Sequence, residues 1–111
     1  MKFTNGEASF QDYIMNMTKD SIMGQLKEVA QLTSKVLPNV QMFVFGSLIH
    51  SLSWPSDVDV LVIYKDPVDV QHMRRILDPL YTKMPLHVLY LTNLEEMELQ
   101  FVKNQNCVLL Y

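Results

Sequence analysis

Val58–Tyr64 reads VDVLVIY, a run of β-branched and aromatic residues that is apolar on both faces apart from its aspartate. A segment of that length and composition suits a strand better than a helix, and a strand without a solvent face needs cover from packed elements. Two further short apolar runs, Val40–Phe45 (VQMFVF) and Leu86–Leu91 (LHVLYL), read as strands to pair with it.

The segments between these runs carry helical spacing. From about Ser9 to Leu37, Phe10, Tyr13, Ile14 and Met17 form one stripe and Ile22, Leu26, Val29 and Val36 another. Thr18, Asp20 and Ser21 are N-cap types between the stripes, which gives two helices or one bent helix, closed by Pro38 and Asn39. Residues 48–56, with three serines and Pro55, read as a turn or one short helix followed by a loop. Asp66-Pro67-Val68-Asp69 is a strong helix start, with an N-cap acid and a proline at the first helical position. Val70, Met73, Leu77 and Leu80 form its buried stripe, with Arg74 and Arg75 on or beside the opposite face, and Met84-Pro85 closes it. Thr92-Asn93-Leu94-Glu95 fits a capping box that opens a helix with Leu94, Met97 and Phe101 inward. Cys107–Tyr111 reads as an edge strand or a terminal packing segment. Helices alternating with strands predict an α/β (α+β) domain, a small sheet of mixed direction with helices packed on it.

Composition narrows the function classes. With 111 residues, 49% of them hydrophobic, the chain reads as a single domain over 1–111 with a modest core. No apolar run approaches the roughly 20 residues of a membrane span. The start MKFTNGEASF lacks the basic-then-apolar pattern of a signal peptide, so a cytoplasmic location is expected and no membrane partner. A net charge of −3 without a long basic block equips the chain poorly for nucleic acid, which is held through many phosphate contacts. A small phosphorylated ligand or a partner protein is easier to accommodate. The single cysteine, Cys107, lies in the apolar run CVLLY and reads as a buried, inert thiol. The eight methionines read as core filler or as an adaptable interface.

The chemistry concentrates in FGSLIHSLSWPSDVD, residues 45–59. Asp57 and Asp59 lie one residue apart at the start of the second strand, and side chains two apart on a strand share a face. Two converging carboxylates repel unless something positive lies between them. One or two Mg²⁺ ions would do so, because Mg²⁺ prefers carboxylate and substrate phosphate oxygens. Gly46 allows a sharp turn and the close approach of a ligand. Ser47 offers a hydroxyl and backbone N–H groups to a phosphate.

FVFGS followed, after residues 48–56, by DVDVLVIY resembles the signature of the nucleotidyltransferase superfamily named for DNA polymerase beta. The helix-strand-Gly-Ser-strand-helix-strand order resembles the minimal form of that fold over most of the chain, as in small stand-alone bacterial domains that partner a helical HEPN-type toxin. The resemblance implies metal-dependent transfer of a nucleoside monophosphate, AMP from ATP, to a hydroxyl. It implies Asp57 and Asp59 as metal-binding and catalytic residues, and Gly46 and Ser47 as nucleotide-binding residues. The family usually places a third carboxylate on the next strand, and the matching position here is His87. An imidazole can ligate a metal or act as a general base near neutral pH, but it is a softer and uncharged ligand.

Glu95 and Glu96 could supply the missing charge, or could serve capping and the helix dipole. Lys65, Arg74, Arg75 and His50 are candidates for phosphate contacts, and Trp54 for stacking, against a default of solvated surface or loop packing. The loop LIHSLSWPS lacks the arginines that many family members place after Gly-Ser. A chain this short implies a partner protein or a second copy to complete the cleft. The alternative is a catalytically reduced module that binds nucleotide or regulates such a partner by contact.

Overall fold

The structure, a computed structural model, describes residues 18–50 and 57–111. The first described helix, α1 (Lys19–Val36), begins where the sequence offers an N-cap: the Thr18 hydroxyl accepts from the Ser21 amide at 3.0 Å. Asp20 in its first turn and Lys35 in its last complement the helix dipole. Its buried face is Ile22, Leu26, Ala30 and Thr33, and continues to Leu37. That path corrects the expected stripe. Thr33 takes the inward position, with its hydroxyl donating to the Val29 carbonyl at 2.8 Å, while Val36 is rotated outward and exposed. The stripe read at Phe10–Met17 lies outside the described residues.

The chain continues through β1 (Gln41–Phe45), α2 (Ser47–His50), β2 (Val58–Tyr64) and α3 (Pro67–Leu77), the last running into a 3₁₀ helix at Asp78–Thr82. Then come β3 (Leu86–Thr92), α4 (Asn93–Leu99), α5 (Phe101–Asn104) and β4 (Val108–Leu109). At the start of α3 the Asp66 carboxylate accepts from the Val68 amide at 3.1 Å, with Pro67 at the first position as expected.

The four strands lie in the order β3-β2-β1-β4. The central β1 runs antiparallel to both β2 and β4, and β2 runs parallel to β3. A parallel pair needs a crossover, which α3 and the 3₁₀ helix provide. The mixed sheet is thus the one expected, and Val108–Leu109 takes the edge-strand alternative.

Strand alternation sorts the core into two clusters. On one face Met42, Val44, Val58, Val60 and Val62 meet Ile22 and Leu26 of α1 and Met73 and Leu77 of α3. Each of these large side chains contributes about 1.5–3 kcal/mol by leaving water. The second face carries Phe43, Leu61, Ile63 and Leu91, packed by Phe45, Phe101, Val102 and Cys107. Its cover is narrower. His87 and Leu89, on the same face of β3, stay exposed.

The expected inward stripe of Leu94, Met97 and Phe101 does not form. Leu94 is 74% and Met97 72% exposed, and α4 buries none of its residues. Its ends are held by polar bonds instead. The Thr92–Glu95 capping box is complete, and the Glu96 carboxylate accepts from the Val102 amide at 3.3 Å. Gln100, at φ 50°, turns the chain between α4 and α5, so Phe101 does not continue the helical face of Leu94 and Met97.

Candidate functional site

The site grows from the end of β1. Phe45 finishes the strand, and Gly46 turns the chain at φ +78° into α2, where its carbonyl accepts from the Ile49 and His50 amides at 3.1 and 3.0 Å. Strand register then assembles a row. Phe45 of β1 lies opposite Asp59 of β2, and Asp59 lies opposite His87 of β3. Directly opposed residues project to the same face, so Phe45, Asp59 and His87 stand side by side on the second face of the sheet.

Two features favour glycine at position 46. Its positive φ is one. The other is space, since a Cβ at this position would lie 2.5 Å from Oδ2 of Asp59. The Asp59 carboxylate therefore occupies the space a side chain at position 46 would need.

Asp59 lies between unlike neighbours. Its side chain is 20% exposed, and Oδ1 lies 3.6 Å from Nδ1 of His87, whose ring is 80% exposed. Burial pushes the Asp59 pKa above its ordinary value, and repulsion from the Asp57 carboxylate pushes it the same way; attraction to and hydrogen bonding with His87 oppose both. Asp57 itself is exposed, just ahead of β2, and its carbonyl accepts a long hydrogen bond from the Ser47 hydroxyl at 3.4 Å. Ser47 thereby ties the start of α2 to the start of β2.

Gly46, Ser47, Asp57, Asp59 and His87 are thus brought to one end of the sheet. Lys65, by contrast, follows the far end of β2, about 20 Å from Asp59 at the rise of an extended strand. Arg74 lies over the Tyr90 ring at 5.6 Å, on a side chain belonging to the opposite sheet face. Arg75 is exposed on the same helix, α3. Beyond the far end of β3, Glu95 is held in the α4 capping box and Glu96 accepts from the Val102 amide of α5, so neither joins the site. His50 ends α2 and is exposed, and Trp54 lies outside the described residues.

Phe45 is the neighbour of the site that sequence reasoning passed over. It meets Phe101 edge-on, with ring centroids 5.0 Å apart, and forms the apolar wall beside Asp59. Its signal was alternation: Phe43 and Phe45 share one face of β1. Cys107 packs in the same cluster, and burial, reinforced by the Glu96 carboxylate, pushes its thiol up to about 11. It is a poor nucleophile near neutral pH, in line with the inert reading.

The chemistry of the two acids is that of hard oxygen donors. After burial, the Asp57 carboxylate is the next cause that raises the Asp59 pKa, and a cation beside Asp59 would offset it. Among the described residues no group of three or more His, Cys, Asp or Glu side chains is gathered to hold an ion. An ion held by Asp57 and Asp59 would have to take its remaining ligands from water or substrate.

No protein-family model matches the chain, and no curated protein matches it. Among solved structures it is similar to a putative nucleotidyltransferase from Sulfolobus solfataricus, with a TM-score of 0.57 and 17% identity over 94% of this chain and 88% of the other. A de novo designed protein with a novel fold, NF4, matches at a TM-score of 0.49 and 14% identity over 80% of this chain and 71% of that one. The Sulfolobus likeness, with the mixed four-stranded sheet and its helices, shows that the chain has the nucleotidyltransferase fold. No helix among the described residues is long and apolar enough to cross a membrane.

Proposed function

We propose that this chain is a metal-dependent nucleotidyltransferase that moves a nucleoside monophosphate, AMP from ATP, onto a hydroxyl group. The observation that carries the reading is the close approach of Gly46 to Asp59, in a row that ends at His87. Fold alone does not imply activity, but this arrangement adds the chemistry. Two acids stand at one strand start, and the Gly46 turn lies beside the Asp59 carboxylate.

A divalent cation held by Asp57 and Asp59 would supply the positive charge that offsets the triphosphate and the leaving pyrophosphate. The residues themselves do the positioning. Gly46 keeps the floor of the site low beside Asp59, and Phe45 walls one side against water. His87 is the group placed to accept the proton of the incoming hydroxyl, its imidazole oriented by Asp59. The hydroxyl oxygen attacks the α-phosphorus, the bond from that phosphorus to the bridging oxygen breaks, and pyrophosphate departs with the bonding pair.

The proposed acceptor is a tyrosine, serine or threonine hydroxyl on a partner protein, in keeping with the resemblance to domains that pair with HEPN-type toxins. A second reading, a nucleotide-binding regulator without transfer, is favoured by one observation, the imidazole of His87 where the family carries an acid.

Titration calorimetry with a nonhydrolysable ATP analogue tests the site. Binding is expected in the presence of a divalent cation and absent without it, and absent in the Asp57→Asn, Asp59→Asn double variant. Binding by the double variant equal to that of the parent would refute the site.

A further inference from the structure

We propose that this chain binds a second copy of itself, the exposed apolar face of α4 in one copy docking into the groove between α1 and α3 of the other.

The first surface is left over by the fold. α4 buries none of its residues, yet it carries Leu94 and Met97 at 74% and 72% exposure. Neither side chain belongs to either core cluster. They lie three apart on one side of the helix, and Glu98 follows on that side, one turn after Leu94. An exposed apolar patch rimmed by charge marks a protein contact.

The second surface is a groove. Val36 and Leu37 line it from the end of α1, and His72, Arg75 and Ile76 line it from α3. Leu32, one turn before Val36, extends its apolar edge, and both side chains are more than half exposed. Arg75 and His72 are exposed, and no acid lines the groove among the described residues.

Charge selects the occupant. α4 sets the acids Glu95 and Glu98 beside Leu94 and Met97, while the groove sets the permanent cation Arg75 beside Val36 and Ile76. Apolar area meets apolar area, with opposite sign at the rim. Within one chain the two surfaces do not meet, since Leu94 and Met97 stay exposed. The complement of each is therefore found on another copy. Because the surfaces differ, the contact is head to tail, made twice in a closed pair or once per step along a chain of copies.

The contact is separate from the Asp59 row. α4 leaves β3 at Thr92, which pairs with Tyr64, and Leu37 leads into β1, whose first residue, Gln41, pairs with Ile63. Both attach to the end of the sheet opposite Phe45, Asp59 and His87.

Sedimentation velocity of the full chain over a concentration series, at low and high salt, tests the proposal. The parent should sediment above the monomer as concentration rises, and less so at high salt. Glu98→Arg and Arg75→Glu each place like charges across the contact and should weaken self-association about tenfold or more. Met97→Ser keeps every charge and should weaken it through the lost apolar contact. An equimolar mixture of Glu98→Arg with Arg75→Glu sets opposite charges at both contacts again and should associate as the parent does. Circular dichroism of each variant confirms the fold, which these exposed positions tolerate.

A parent that stays monomeric at its highest soluble concentration would overturn the proposal, leaving the two surfaces to a different protein or to residues 1–17. Self-association unchanged in all three variants, or no recovery in the mixture, would overturn the pairing of these two surfaces.

Discussion

Replacing Gly46 by alanine is the sharpest test of the site geometry, because two separable costs meet at one atom. The first is backbone. At φ +78° an L-residue pays about 1–2 kcal/mol for the left-handed conformation. The second is contact. The new Cβ would lie 2.5 Å from Oδ2 of Asp59, so the carboxylate has to swing away, at about 0.5–1.5 kcal/mol for an off-rotamer side chain. Together Gly46→Ala should lose about 2–3 kcal/mol, which lowers the melting temperature by roughly 10–20 °C in a domain of this size. The two parts come apart in an Asp59→Ala background. There the Oδ2 and Cγ contacts vanish and the nearest remaining Asp59 atom, Cβ, is 3.6 Å away, an ordinary contact. The cost of Gly46→Ala should then fall to the backbone part alone, with a coupling of about 1 kcal/mol between the positions. Thermal unfolding of the four proteins by circular dichroism measures it. A melting temperature unmoved by Gly46→Ala, or an equal cost in both backgrounds, would refute the close approach.

Two further changes probe neighbouring features. The folded-state pKa of Asp59 is raised above 3.8, so the native protein holds more protons than the unfolded chain in that window, and stability falls as pH rises through it. Asp57→Asn removes one cause of the rise and should shrink the fall in cation-free buffer, with a lower Asp59 pKa in a carbon-detected NMR titration; an unchanged pKa would mean the acids do not feel each other. At the start of α4, Thr92→Ala breaks a reciprocal pair, Glu95 amide to Thr92 hydroxyl at 3.0 Å and Thr92 amide to Glu95 carboxylate at 2.8 Å. About 1 kcal/mol should be lost in urea unfolding, and an unchanged midpoint would deny the box any weight.

The strands were legible because their residues are locally unambiguous: VQMFVF, VDVLVIY and LHVLYL can be little else. So were the caps at Thr18, Asp66 and Thr92, whose side chains do in the structure what their types suggest. The candidate site residues were named from the Gly-Ser and Asp-x-Asp spacing. Their mutual placement could not be read from it, since it depends on strand register, which no local pattern states. Leu94 and Met97 show a different limit. Helical periodicity says which residues share a face, but the turn at Gln100 decides whether that face points inward. Val36 failed for a similar reason: Thr33 took its place by bonding its hydroxyl within its own helix, which made a polar residue acceptable in the core.

The pairing of β2 with its neighbours has a consequence for how the site could vary. Val58, Val60 and Val62 are fully buried against α1 and α3, and Asp59 stands between the first two on the reverse side. A slip of one residue in either pairing would send Asp59 into the helix-covered core and turn the valines out of it. Burying that charge unpaired would cost more than the slip could return. The valines therefore act as a ruler for the carboxylate: packed on the opposite face, they fix which residue of β2 stands beside Gly46 and His87. Variation can then proceed at His87, Ser47 and the loop that follows without disturbing the position of Asp59, so that the chemistry of the site is free to drift while its geometry is inherited from the core.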